Sequence, residues 1–160
     1  MLDQRPNCPE ALHFFGVLEH QRGRGDAAIP LIERSLELEP DRPDWYSNLG
    51  IVLQERLRLD EAIVAYRRAI HLQPEHANAH NNLGVLLRAQ DKPAEAEAEY
   101  REAIRINPEH IDAYTNLGIL LSRLVPYDAA IIGASPAALY RAIQKHEPAL
   151  IIDELDQAMS

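Results

Sequence analysis

The sequence predicts an all-α protein, a solenoid built from antiparallel helix pairs, and three observations carry that prediction. Gly16, Gly50, Gly84 and Gly118 stand 34 residues apart, as do Ala28, Ala62, Ala96 and Ala130, and so do Pro6, Pro40, Pro74 and Pro108. Three residue types therefore keep one period, and 34 is the period of a helix–turn–helix repeat. Between these markers the apolar residues recur at helical spacings.

The period places first helices at 9–22, 43–56, 77–90 and 111–124, and second helices at 25–38, 59–72 and 93–106. In the first helix of the 43–76 unit, Trp45, Leu49, Val52 and Leu53 mark one face; in its second, Ala62, Ile63, Tyr66, Ala69 and Ile70 do the same. The recurrent glycine and alanine fit places where two helices approach closely, since a larger side chain would push them apart. The recurrent proline lies just beyond each second helix and cannot continue it. Pro93 suits a first helical turn, where its missing N–H costs nothing. Pro30 falls inside the 25–38 helix, which is expected to start late or to bend. Leu2 to Pro6 reads as the last turn of a preceding unit, so the chain looks cut from a longer array.

"WYSNLGIVL…DEAIVAYRRAIHLQP" and "AHNNLGVLL…AEAEAEYREAIRINP" resemble the tetratricopeptide repeat. The match is full over units 9–42, 43–76 and 77–110 and partial over 111–124, roughly three quarters of the chain. The resemblance implies helix pairs stacked into a right-handed superhelix with a concave inner face, and it sets residues 1–124 apart as the array. Within that family the repeats are similar to those of O-linked N-acetylglucosamine transferases.

A polar residue recurs where packing does not demand one. Asn48, Asn82 and Asn116 are the sixth residues of units two to four, each followed by a leucine that points into the core. One residue turns about 100° around a helix, so the asparagine faces away from that leucine, and the resemblance makes that direction the concave groove. An amide side chain offers donors and an acceptor together and can hold a peptide bond whatever its side chain. In the glycosyltransferases that these repeats resemble, asparagines at this place hold the substrate backbone. The alternative is that they satisfy a neighbouring helix end or face solvent. Phe14 holds the sixth place of the first unit and breaks the ladder. Asp44, Asn78 and Asp112 at the second place and Ser47, Asn81 and Thr115 at the fifth are expected on the same face, with Gln54, Arg88 and Ser122 two turns along. A carboxylate-clamp groove wants Lys or Arg at the second, fifth and sixth places, and none is there.

Composition narrows the partners. With 16 Lys and Arg against 25 Asp and Glu, the net charge of −9 disfavours nucleic acid and anionic membranes, which reward clustered positive charge. No apolar run approaches the roughly 20 residues that cross a bilayer, and MLDQRPNCPE is no signal sequence. The one cysteine, Cys8, permits no internal disulfide, which fits a reducing cytoplasm. His76 and His80 have a metal-compatible i, i+4 spacing, but no third ligand follows, so no metal or cofactor is expected.

After Leu124 the repeat fails: Gly133 and Pro136 interrupt the expected helix. Residues 125–160 read as an irregular fourth unit and a C-terminal capping helix, with helices at 136–147 and 148–159 that cover Leu117, Leu120, Leu121 and Leu124. If the slipped helices swing out, they cover a second copy and give a homodimer by exchange. "ALIIDELD" (149–156) also resembles the acidic strand segment of P-loop ATPases, whose magnesium and water roles would fall on Asp153 and Glu154. The phosphate-binding loop is absent, however. The function expected is a non-enzymatic interaction module that takes an extended peptide or partner helix. The alternatives are a substrate-recognition fragment of a larger glycosyltransferase and, last, an ATPase remnant.

Overall fold

The computed structural model describes residues 8–124, which form seven helices and no strand. They are α1 (Pro9–Gln21), α2 (Gly25–Leu38), α3 (Pro43–Glu55), α4 (Leu59–Leu72), α5 (Ala77–Ala89), α6 (Pro93–Ile106) and α7 (Ile111–Leu124). The periodic markers thus locate every described helix to within a residue. The expectations for Leu2 to Pro6 and for the 125–160 tail, including the capping helix and the exchanged dimer, lie outside the described residues.

Each first helix packs along the second helix of its own unit: α1 on α2, α3 on α4, α5 on α6. Each second helix then meets the next unit, so α2 touches α3, α4 touches α5 and α6 touches α7. The first helices also touch in succession, α1 with α3, α3 with α5 and α5 with α7, and so form one wall. The core runs through all the units, from Ala28 and Ile32 through Val52, Tyr66 and Leu87 to Ala113 and Leu117.

The glycines do more than let backbones approach. A Cβ at Gly50 would lie 2.6 Å from Tyr66 Cε1, one at Gly84 2.7 Å from Tyr100 Cε1, and one at Gly16 2.6 Å from Ile32 Cγ1. In the first three units the eighth residue is small because the twenty-fourth is large and lies across it.

A turn the sequence reading did not isolate also keeps the period. Gly23, Leu57 and Asp91 have φ of 74°, 59° and 58°. Each follows the C-cap of a first helix and closes it the same way. Arg24 N–H donates to Glu19 O at 2.9 Å and Gly23 N–H to His20 O at 2.8 Å; Arg58 to Leu53 and Leu57 to Gln54, then Lys92 to Leu87 and Asp91 to Arg88, repeat the pair. This is the Schellman closure, in which one left-handed residue satisfies the last carbonyls. It reverses the chain within three residues and sets the second helix antiparallel to the first.

Of the two outcomes expected of Pro30, a late start or a bend, the first is not found. Helix α2 begins at Gly25 and includes Pro30 in its first half. Pro30 is exposed, so its ring meets water rather than the neighbouring unit. Leu117 and Leu120 are buried, and Leu121 is half-buried.

On the outer edge, Asp26 receives Arg56 in a two-bond pair at 2.8 and 3.0 Å, and one period later Gln90 reaches Asp60 at 3.1 Å. Exposed pairs of this kind contribute about 0–1 kcal/mol each, so they add little to the stability of the stack.

Candidate functional site

The wall of first helices carries a recess of about 300 Å³, lined by Asp44, Ser47, Asn48 and Ile51 from α3, Asn78, Asn81 and Asn82 from α5, Asp112 from α7, and the cap residues His76 and His110. Seven of the residues expected from sequence therefore meet there: Asp44, Ser47, Asn48, Asn78, Asn81, Asn82 and Asp112. The second, fifth and sixth places of a unit fall together because consecutive turns of one helix present them on one side.

Four other expected residues do not line it. Gln54 is half-buried in α3, and its Oε1 accepts from the Tyr66 hydroxyl at 3.1 Å. Thr115 is exposed, and its hydroxyl donates back to Ile111 O at 3.0 Å. Asn116 is half-buried beside it, and Arg88 lies half-buried towards the end of α5. Ser122, like the tail, lies outside the described side chains. Phe14, at the place the asparagines hold elsewhere, is 65% exposed.

The asparagines are tied to one another across repeats. Asn116 Nδ2 donates to Asn81 Oδ1 at 3.0 Å, and Asn81 Nδ2 donates to Asn82 Oδ1 at 3.2 Å. Asn48 Nδ2 meets His13 Nε2 at 3.1 Å, and the His13 ring stacks on Trp45 with centroids 4.6 Å apart. Burial pushes the His13 pKa down, with Asp44 opposing and Arg42 assisting. The neutral ring then accepts from the Asn48 amide. These bonds fix the amides in place and leave each with further donor or acceptor capacity.

His76 and His110 were not singled out as site residues. Each is the last residue of its unit and precedes the first helix of the next. His76 Nδ1 accepts from Ala79 N–H at 3.3 Å, and His110 Nδ1 accepts from Ala113 N–H at 3.3 Å. The ring thus does the work of an N-cap side chain, which places the proton on Nε2. From there His110 reaches Asn78 Oδ1 at 3.0 Å, and His76 Nε2 stands 3.3 Å from Asp44 Oδ1 without hydrogen-bond geometry. In the first unit Arg42 makes the equivalent reach to Glu10 at 3.6 Å. The last place of each of these units faces the second place of the same unit, and where it is histidine, at His76 and His110, it also caps the next helix; Arg42 makes no side-chain cap. Its signal in the sequence is the series Arg42, His76, His110, spaced by the common period.

His80, one turn into α5, has Nδ1 2.7 Å from Glu99 Oε2 and Nε2 2.9 Å from Pro74 O. Burial pushes its pKa down, but the Glu99 hydrogen bond, the Pro74 carbonyl and the charges of Glu99 and Glu102 outweigh that, and the net shift is upward. Among the described residues no group of three His, Cys, Asp or Glu side chains is placed to hold a metal ion. No described helix is long and apolar enough to cross a membrane.

The family model for the tetratricopeptide repeat matches residues 18–69 and 47–111. Solved structures share the fold. MamA is 23% identical with a TM-score of 0.74, over 99% of this chain and 85% of its own. The first such domain of Spaghetti (RPAP3), bound to the HSP90 peptide SRMEEVD, is 20% identical with a TM-score of 0.70, over 72% of this chain and 92% of its own. YrrB, described as having an unusual peptide-binding site, is 24% identical with a TM-score of 0.64, over 67% of this chain and 55% of its own. No curated protein gives a significant sequence match.

Proposed function

Because the chain belongs to the tetratricopeptide repeat family, we propose that it is a non-enzymatic interaction module that binds an extended peptide along the wall of first helices. The observation that carries this reading is the recess lined by polar side chains from three successive units. An extended peptide advances about 3.3 Å per residue and presents a peptide group at each step. Amides at Asn48, Asn82 and Asn116 suit such a repeating partner, because each can donate and accept at once.

Charge refines the ligand. The recess lining carries Asp44 and Asp112 and no lysine or arginine. A peptide with neutral or basic side chains fits those positions, and an acidic one is disfavoured there. Of the similar structures, the Spaghetti (RPAP3) domain is bound to an HSP90 peptide and YrrB has an unusual peptide-binding site, which supports a peptide ligand. The reading as a substrate-recognition part of a larger glycosyltransferase uses the same amides and differs in what would be joined to them. A cytoplasmic setting fits this role.

The test is a peptide array probed with the full chain and with a variant carrying Asn48→Ala, Asn82→Ala and Asn116→Ala together. Each lost hydrogen bond should weaken binding by about 0.5–1.5 kcal/mol, with helicity by circular dichroism retained. Equal binding by parent and variant would remove the amides from the site.

A further inference from the structure

The second and third repeats differ at one buried contact, and each serves as a control for the other. In the second, Tyr66 is fully buried and its hydroxyl donates to Gln54 Oε1 at 3.1 Å. The Asn82 side chain stands against the same hydroxyl. One period later the three places are held by Tyr100, Arg88 and Asn116. Tyr100 is again fully buried, yet its hydroxyl has no hydrogen-bond partner among the described residues. Nor has Arg88 Nη1, which is itself shielded from solvent.

The cause is one residue type. Gln54 offers an acceptor to the tyrosine hydroxyl; arginine has donors only. Replacing Gln by Arg at this place removes the acceptor and adds further donors. Buried donors left unpaired are costly, and such groups in a native fold call for an explanation. The two are close enough to interact: burial pushes the Tyr100 hydroxyl pKa up, and the Arg88 charge pulls it back. What both lack is an acceptor, and an anionic one would satisfy the guanidinium charge as well.

We propose that Arg88 and Tyr100 form a subsite for a carboxylate of the bound peptide, which accepts from Arg88 Nη1 and the Tyr100 hydroxyl together. This rests on the peptide-groove reading above and adds a specificity to it. Asn116, which holds the third corner by period, donates to Asn81 of the recess lining and so links the place to the recess by one hydrogen bond. Arg88 is half-buried, so a swing of its guanidinium admits the carboxylate. The neighbouring groove is acidic at Asp44 and Asp112, so a carboxylate is repelled there and accepted at Arg88. The ligand selected is a peptide that is neutral or basic over most of its length and acidic at one place. The subsite is distinct from a carboxylate clamp, which would use the second, fifth and sixth places of the units.

The probe is a positional-scanning array of short random peptides in which one place at a time is fixed as Glu, Gln, Lys or Leu. One set has amidated C-termini and one has free C-termini, which separates a side-chain carboxylate from a terminal one. Against the full parent chain, one fixed Glu place or the free terminus should bind about tenfold to a hundredfold better than its amide counterpart. Arg88→Gln restores the Gln–Tyr pairing of the preceding repeat and should abolish that ratio; Tyr100→Phe should reduce it. Peptides that bind without any acidic preference, or a preference that survives Arg88→Gln, overturn the subsite while the groove reading stands. If no peptide binds the parent chain, the groove reading fails and the subsite fails with it.

Discussion

His80 Nδ1 lies 2.7 Å from Glu99 Oε2, and the same ring's Nε2 lies 2.9 Å from the carbonyl oxygen of Pro74. Both nitrogens face acceptors, an arrangement that only the doubly protonated ring satisfies in full. The contact joins α5 to α6 and to the end of the preceding unit, so a charged imidazole is built into the stacking of the repeats.

Stability should therefore depend on pH through this ring. The His80 pKa in the fold is raised above 6.5, so its stabilisation is complete below that value and is lost as the pH rises through the folded pKa. His13, whose pKa is lowered, runs the other way: its contribution is present above 6.5 and is lost as the pH falls. Comparing the parent with Glu99→Gln isolates the His80 contribution. In urea denaturation from about pH 5.5 to about pH 8.5, the gap between the two should be widest at the acid end and narrow as the pH rises. A gap independent of pH would show that His80 is not held as an imidazolium.

Close packing inside the third repeat makes a second prediction. Ala96 is fully buried, and its carbonyl oxygen lies 3.2 Å from where a Cβ on Gly84 would stand. Changing Ala96 to Leu should cost about 1–3 kcal/mol through overpacking. Gly84→Ala should also destabilise, because the added carbon would sit 2.7 Å from Tyr100 Cε1. The denaturation midpoint of each variant checks this; a midpoint equal to that of the parent would contradict the packing described.

Leu57 gives a prediction of the opposite sign. It is 81% exposed and holds φ of 59°, at the place where the first repeat has Gly23. The left-handed conformation costs a non-glycine residue about 1–2 kcal/mol, and glycine returns about 0.5–1 kcal/mol of that in unfolded-state entropy. Leu57→Gly should therefore stabilise by up to about 1 kcal/mol. Asp91→Gly should gain less, since aspartate visits this region more readily. If Leu57→Gly lowers the denaturation midpoint, the turn is not limited by backbone strain.

The helix boundaries were legible in the sequence because one period fixes them many times over. The sixth-place asparagines were legible as a series for the same reason, since a polar residue kept in register beside a core leucine has a defined direction, but of the three only Asn48 and Asn82 line the recess. His76 and His110 were legible in principle through their common period, but the i, i+4 spacing of His76 to His80 reads first as a metal pattern. The hydrogen bonds that they make to the next helix depend on ring orientation, which spacing does not give.

The sequence by itself determined the repeat unit, the order of helices and which residues share a face, because those follow from periodicity along one chain. Only the tertiary structure decided which side chains of different units meet. Asn116 bonds Asn81 and not Asn82, and Tyr66 finds an acceptor that Tyr100 lacks among the described residues. Such contacts lie between residues 12 to 35 positions apart, and their length depends on how closely the units stack. That closeness is set by the volumes of Gly, Ala and Tyr in the core between them, and a hydrogen bond is made or lost within a few tenths of an ångström of it.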